Sequence, residues 1–301
     1  MGGFDTEITL TGPWREPRQM LADQEYDGHA SVHDEAVAVK LGLAGAPIEG
    51  PTHFSQFDPL AAAVWGDAWF EYGCISSHFE NMVVEGEKVR ATMVHSGGES
   101  ARIVAHKEDG SNVLSGTVTL GPGHAETELD RRLAGARDPG DLHIIDKLVV
   151  GSRSRAVRAT MTWGDSNGNL YPFSLEDKIR SITETSPWYV PGADDSTPWG
   201  GAIVPIEMVS VLAAKCPRPG EVRGPAVGLF MDLEIRMLEG PVMVGHEYEL
   251  VNEIVAVGQT RRVEHYWTRT TITDPTDGRT VCEVLLNQGV FKASFAGYPG
   301  L

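Results

Sequence analysis

The sequence is short of cysteine, of positive charge and of long apolar runs, and each shortage closes off a class of protein. Cys74, Cys216 and Cys282 are the only cysteines in 301 residues and show no C-x-x-C spacing. They suit reduced core thiols rather than a disulfide frame or a thiolate zinc site. Lysine and arginine number 25 against 42 acidic residues, a net charge of −17, which opposes binding to nucleic acid or to an anionic membrane. A small anionic ligand is still admitted, because a pocket needs only a few cations. Nowhere do 18 apolar residues run together, and the opening MGGFDTEITL has neither the basic region nor the apolar stretch of a secretion signal. The expectation is a protein of the cytoplasm. No Gly-rich phosphate loop occurs, so nucleotide hydrolysis has no support.

What is present is an apolar fraction of 41% with seven Trp and no polar low-complexity tract, enough for a chain that folds throughout. From His33, DEAVAVKLG reads as a short helix with acidic residues in its first turn and Gly42 as its stop. Gly50-Pro51-Thr52 opens an apolar helix that Pro59 must bend or shorten. Four β-rich segments follow, Cys74 to Val84, Lys88 to His95, Ala101 to Lys107 and Val113 to Leu120, separated by Gly-containing turns. A Gly-rich, charged stretch then marks a linker. The expected organisation is a first unit over 1–123, a linker over 124–140 and a second unit over 141–301.

The second unit repeats the plan of the first. Gly45-Ala46-Pro47-Ile48-Glu49 is echoed by the segment from Gly201 to Glu207, and Met82 to Glu87 by Val242 to Glu247, at offsets of 156 and 159. Long strands follow each junction, in the second unit Tyr248 to Val257, Arg262 to Thr273 and Thr280 to Phe291. Two divergent copies of one helix-on-sheet unit account for this economically. Each copy would bury one sheet face under its helix, and the two sheets would join at their edges. The expected class is α+β, a double hotdog with one continuous sheet and two helices on the same side.

The richest stretch is Tyr26 to His53, YDGHASVHDEAVAVKLGLAGAPIEGPTH. Its run from His33 through Gly50 resembles the MaoC-like, (R)-specific enoyl-CoA hydratase branch of the hotdog superfamily. That family's motif is Asp-x-Asn-Pro-aliphatic-His, an acidic Ala-containing helix, then Pro-Ile-x-His-Gly. Here Val32-His33 stands at the aliphatic-His place and Pro47-Ile48 at the family's spacing from it, with Gly50 following. Gly28 stands where the family has Asp, with Asp27 one residue earlier and His29 one later. Ala30-Ser31 replaces Asn-Pro, and Glu49 replaces the motif's second His.

The resemblance implies an acyl-thioester substrate, most naturally a CoA thioester, with CoA as part of the substrate and no separate cofactor. It implies Asp27 and His33 as an acid/base pair and the Gly50 N–H as donor to the thioester carbonyl. His29, Glu49 and His53 would face the substrate, and Glu49 competes with Asp27 and His29 as the partner of His33. The place of His33 falls in the second copy at Ser174 or a neighbour, with no His in the repeated Pro-Ile segment, so chemistry is expected in the first unit. The Trp-rich segments carrying Trp65 and Trp199 read as cavity walls and lids. A metal set of His29, His33 and His53 lacks the Glu of H-E-x-x-H, and no metal is assigned. Hotdog proteins commonly dimerise, so a homodimer is the oligomer to test for. An isomerase, cyclase or thioesterase on the same scaffold, and a non-catalytic ligand-binding protein, are the other readings of the altered motif.

Overall fold

The computed structural model describes residues 6–25, 28–192 and 197–300. Its centre is one antiparallel sheet of ten strands in the order β1-β3-β4-β5-β2-β7-β10-β9-β8-β6. The first five are Ile8–Thr11 (β1), Gly73–Phe79 (β2), Val89–His95 (β3), Ser100–Lys107 (β4) and Asn112–Leu120 (β5). The second unit supplies Val157–Ala159 (β6), Gly228–Met237 (β7), Tyr248–Gln259 (β8), Val263–Thr273 (β9) and Thr280–Phe291 (β10). Read outward from the middle, both halves have the same order. They meet where β2 pairs with β7, in a register that sets Ile75 opposite Ile235 and His78 opposite Asp232.

Side chains alternate across a strand, and β7 sorts its residues accordingly. Leu233, Ile235 and Met237 enter the main core, whereas Asp232 and Glu234 are buried on the other face, where Arg132 pairs with Asp232 and Thr127 donates to Glu234 at 2.6 Å. The main core runs through both units and includes Phe54, Phe57, Leu60 and Trp69 of the first with Val209 and Leu212 of the second.

The first unit has three helices, Glu35–Lys40 (α1), Asp58–Trp65 (α2) and Ala68–Tyr72 (α3); α2 and α3 give residues to that core, whereas α1 packs with a smaller cluster around Val32 and Phe291. The helix expected from Gly50 is built in two pieces. A 3-10 helix, Gly50–Phe57, runs into α2 with Pro59 in its first turn, where a missing N–H costs no bond and the fixed φ suits a helix start. Pro59 therefore divides the segment and does not end it. The stretch read as a linker contains a helix, Glu128–Ala134 (α4), started by a capping box between Thr127 and Asp130.

The second unit contributes Leu175–Ser181 (α5) and Ile206–Ala213 (α6). Asp34 caps α1 and Ser174 caps α5, which aligns Ser174 with Asp34 and places the buried Phe173 where the first unit has His33. The paired bridges Pro47 to Val84 and Ile203 to Met243 likewise set Pro205 at the place of Glu49. Among the described residues no helix is long and apolar enough to cross a membrane.

Candidate active site

A cavity of about 400 Å³ opens between the two halves. From the first unit it is lined by His29, His33, Glu49, Gly50, His53 and the residues that follow β2, and from the second by Tyr171, Arg218, Tyr266 and Gln288. Five of the eight residues singled out from sequence therefore share one wall. The segment holding His29 and His33 is fixed over the cavity by a parallel bridge from Ala30 to Val227, at the entry to β7.

His33 is oriented on both sides. Its backbone N–H donates to Ser31 Oγ at 3.0 Å, and the Ser31 hydroxyl donates to Gln24 at 2.8 Å. Its Nδ1 lies 2.6 Å from the Pro47 carbonyl. Burial lowers the imidazole pKa, partly offset by that carbonyl contact, so the ring is neutral near pH 7. A carbonyl can only accept, so Nδ1 carries the proton and Nε2 keeps its lone pair.

Glu49 is buried immediately before the 3-10 helix and does not cap it. Burial raises its carboxyl to about 7, with the charge of Glu207 adding to the rise and Lys178 and a hydrogen bond with Tyr171 opposing it. Among the described residues its Oε1 has no hydrogen-bond partner, and the same holds for Nδ1 of the buried His53. Burial, with Lys178 and Lys107 behind it, holds His53 down to about 3, so that ring is neutral throughout the physiological range.

Gly50 is the first residue of the helix, where the N–H has no intrahelical acceptor. A Cβ there would stand 2.8 Å from the ring of Phe79, itself a cavity residue. Glycine is required by this close approach rather than by backbone conformation.

The charge beneath the cavity comes from the second unit. Lys178 of α5 is buried, 2.9 Å from Glu207 of α6 and 2.9 Å from Thr52 Oγ1. Ser55 donates a short hydrogen bond to the other Glu207 oxygen. Sequence reasoning missed Lys178, although Leu175, Lys178 and Ile182 fall at helical spacing and put a lysine on an apolar face. Tyr171 and Arg218 carried no local signal.

The other three of those eight residues are not placed at the cavity. Asp27 lies outside the described residues. Trp65 and Trp199 are elsewhere: Trp65 stacks on Trp69 at 6.0 Å, and Trp199 packs edge-on to Trp188 at 5.2 Å while donating to Glu71 at 2.7 Å. The Trp-rich segments were expected as walls and lids, but these large faces are covered by one another and by Phe70. Between α5 and α6 the second unit has a longer connection than the first has after α1, and that extra length docks on the first unit through Tyr189, which donates to Asp58 at 2.9 Å. Among the described residues no group of three or more His, Cys, Asp or Glu is arranged to hold a metal ion.

No protein-family model and no curated protein matches the chain. Solved structures do match it along almost its whole length. A conserved hypothetical protein of Mycobacterium tuberculosis, described as having a double hotdog fold and as essential for bacterial survival during infection, aligns over 96% of this chain and 97% of its own at 10% identity, with a TM-score of 0.61. A putative MaoC domain protein dehydratase from Chloroflexus aurantiacus J-10-fl aligns over 96% and 95% at 13% identity, with a TM-score of 0.52. At such identities the likeness is one of fold. The chain is an α+β protein with a double hotdog fold, as the sequence repeat led one to expect.

Proposed function

We propose that the protein is a hydratase or dehydratase of acyl thioesters, with a CoA thioester as substrate and His33 and Glu49 as its acid/base pair. The observation that carries this reading is the meeting, in one cavity, of an imidazole with its proton fixed on Nδ1, a buried carboxyl poised near 7 and a glycine N–H at a helix start. In hydration, His33 Nε2 takes a proton from water as the oxygen adds to the β-carbon, and protonated Glu49 delivers a proton to the α-carbon. The electron pair that moves onto the thioester oxygen in between is met by the Gly50 N–H. Return of the proton from His33 to Glu49 resets the site, and dehydration is the reverse. A carboxyl that titrates near the working pH suits a group that must both give and regain a proton.

This reading replaces the family's Asp with Glu49, and Asp27 is assigned no role. The test is to mix the purified protein with crotonyl-CoA and a series of longer 2-enoyl-CoAs and follow the absorbance of the conjugated thioester. Loss of that absorbance without release of free thiol is the expected result. No loss across the series refutes the hydratase reading, and release of thiol in its place assigns the cavity to thioester hydrolysis.

A further inference from the structure

The cavity wall contributed by the second unit holds a cation that the chemistry above does not use. Arg218 lies in the loop between α6 and β7 and lines the same cavity as His33 and Glu49. Its guanidinium packs over the ring of Tyr266, 5.1 Å from the centroid, and donates to the Tyr266 hydroxyl at 2.9 Å. That hydroxyl passes its own proton to Gln288 at 2.6 Å, so it can only accept from the arginine. Among the described residues, Arg218 Nε is buried without a hydrogen-bond acceptor and no carboxylate lies within ion-pair distance of the guanidinium.

Of the described arginines without a carboxylate partner, Arg137, Arg155, Arg261 and Arg262 are exposed and Arg90 donates to the Gly12 carbonyl, so Arg218 is the half-buried one whose Nε is unmet. Arg15 is paired with Glu184 at 2.6 Å, Arg132 with Asp232 at 2.7 Å and Arg236 with Glu234 at 2.7 Å. A buried donor left unmet is destabilising, and a guanidinium offers a planar fork of donors that matches a carboxylate. Val222, Leu229 and Val290 line the same cavity and suit a short methylene chain.

We propose that Arg218 receives a carboxylate at the far end of the substrate's acyl chain, so that the protein selects thioesters of short dicarboxylic acids. This rests on the acyl-thioester reading above and names its substrate class. One guanidinium in a largely apolar cavity fits a singly charged group better than the multiply charged, strongly hydrated phosphates of CoA. The proton-transfer groups stand on the first unit's wall and the charge selector on the second's, which divides the two tasks between the copies.

Binding of unreactive saturated thioesters to the full chain, measured by titration calorimetry, tests this without requiring turnover. Glutaryl-CoA is expected to bind roughly 10- to 100-fold more tightly than valeryl-CoA, the range for a charge-assisted hydrogen-bonded pair. The same preference is expected for glutaryl- over valeryl-pantetheine, which lack the carrier's phosphates. Arg218→Gln should abolish the preference and leave valeryl-CoA binding unchanged, and Arg218→Lys should keep part of it. Equal binding of glutaryl and valeryl thioesters overturns the inference. So does a loss in Arg218→Gln that affects both CoA thioesters and neither pantetheine thioester, which would give Arg218 to the carrier. A glutaryl preference without turnover of glutaconyl-CoA upholds the inference and refutes the hydratase reading, while failure of every thioester to bind refutes both.

Discussion

Replacing Glu49 with Gln should cost activity and raise stability, with the stability gain appearing as pH rises. The carboxyl is lifted by burial from 4.5 to about 7, which at about 1.4 kcal/mol per pH unit is roughly 3 kcal/mol. The folded protein holds this proton more tightly than the unfolded chain, so stability falls as pH rises between the two values. The group's penalty is absent below the unfolded value and complete above about 7. Most of it, roughly 2–3 kcal/mol, develops between pH 5 and pH 8. Gln has nearly the same shape and no such titration. Asp58, lifted by burial to about 7 as well, adds a slope of its own to both proteins and cancels in the comparison. At about 2 °C per kcal/mol for a chain of this size, the Tm of Glu49→Gln relative to wild type should climb by ~5 °C from pH 5 to pH 8. Turnover should fall about 10²- to 10⁴-fold. Differential scanning calorimetry of both proteins across that pH range is the assay. A Tm difference that stays flat with pH would refute the assignment of a buried, near-neutral carboxyl to Glu49.

Other substitutions separate catalysis from architecture. His33→Ala should lower turnover by about 10²- to 10⁴-fold with a Tm close to wild type, since among the described residues the lost ring bonds only the Pro47 carbonyl; activity that survives moves the base elsewhere. Gly50→Ala pushes a methyl against Phe79 and should reduce kcat by roughly 10- to 100-fold through displacement of the helix start. Adding Phe79→Leu should recover part of that loss, and a double variant no better than the single would argue against the steric cause. Lys178→Met leaves Glu207 buried without its cation and should destabilise the protein by about 3–5 kcal/mol, read by chemical denaturation. Lys178→Met with Glu207→Gln should restore most of it, because no uncompensated charge is left behind.

Strands and helices were legible in the sequence wherever alternation or a cap was local. Segments read as 88–95, 101–107 and 113–120 emerge as Val89–His95, Ser100–Lys107 and Asn112–Leu120. The segment read from Cys74 to Val84 stops at Phe79, because residues beyond it leave the sheet to line the cavity and Val84 bridges to Pro47. The first-unit wall of the cavity was equally legible, since His29, His33, Glu49, Gly50 and His53 fall within one motif-bearing stretch. Lys178, Tyr171 and Arg218 were not, because their roles arise from packing against residues far away in the chain, and no spacing rule reaches that far. The tryptophans misled for a related reason: composition says that large faces need cover, and only tertiary structure says what covers them.

The matched strand order of the two halves, β1-β3-β4-β5-β2 and β6-β8-β9-β10-β7, carries a consequence for how such a site can diverge. A dimer of identical chains must place every residue at two symmetry-related positions, so a buried carboxyl here would imply another there, each destabilising. Two copies on one chain are free of that constraint. Glu49 can face Pro205 across the approximate two-fold and His33 can face Phe173, leaving one half to accept the strain of chemistry while the other is packed for support. The ion pair of Lys178 with Glu207, which meets Thr52 and Ser55 of the other half, makes the division permanent. Each half now depends on residues that only the other retains, and two separately expressed halves would each bury polar groups that neither could satisfy alone.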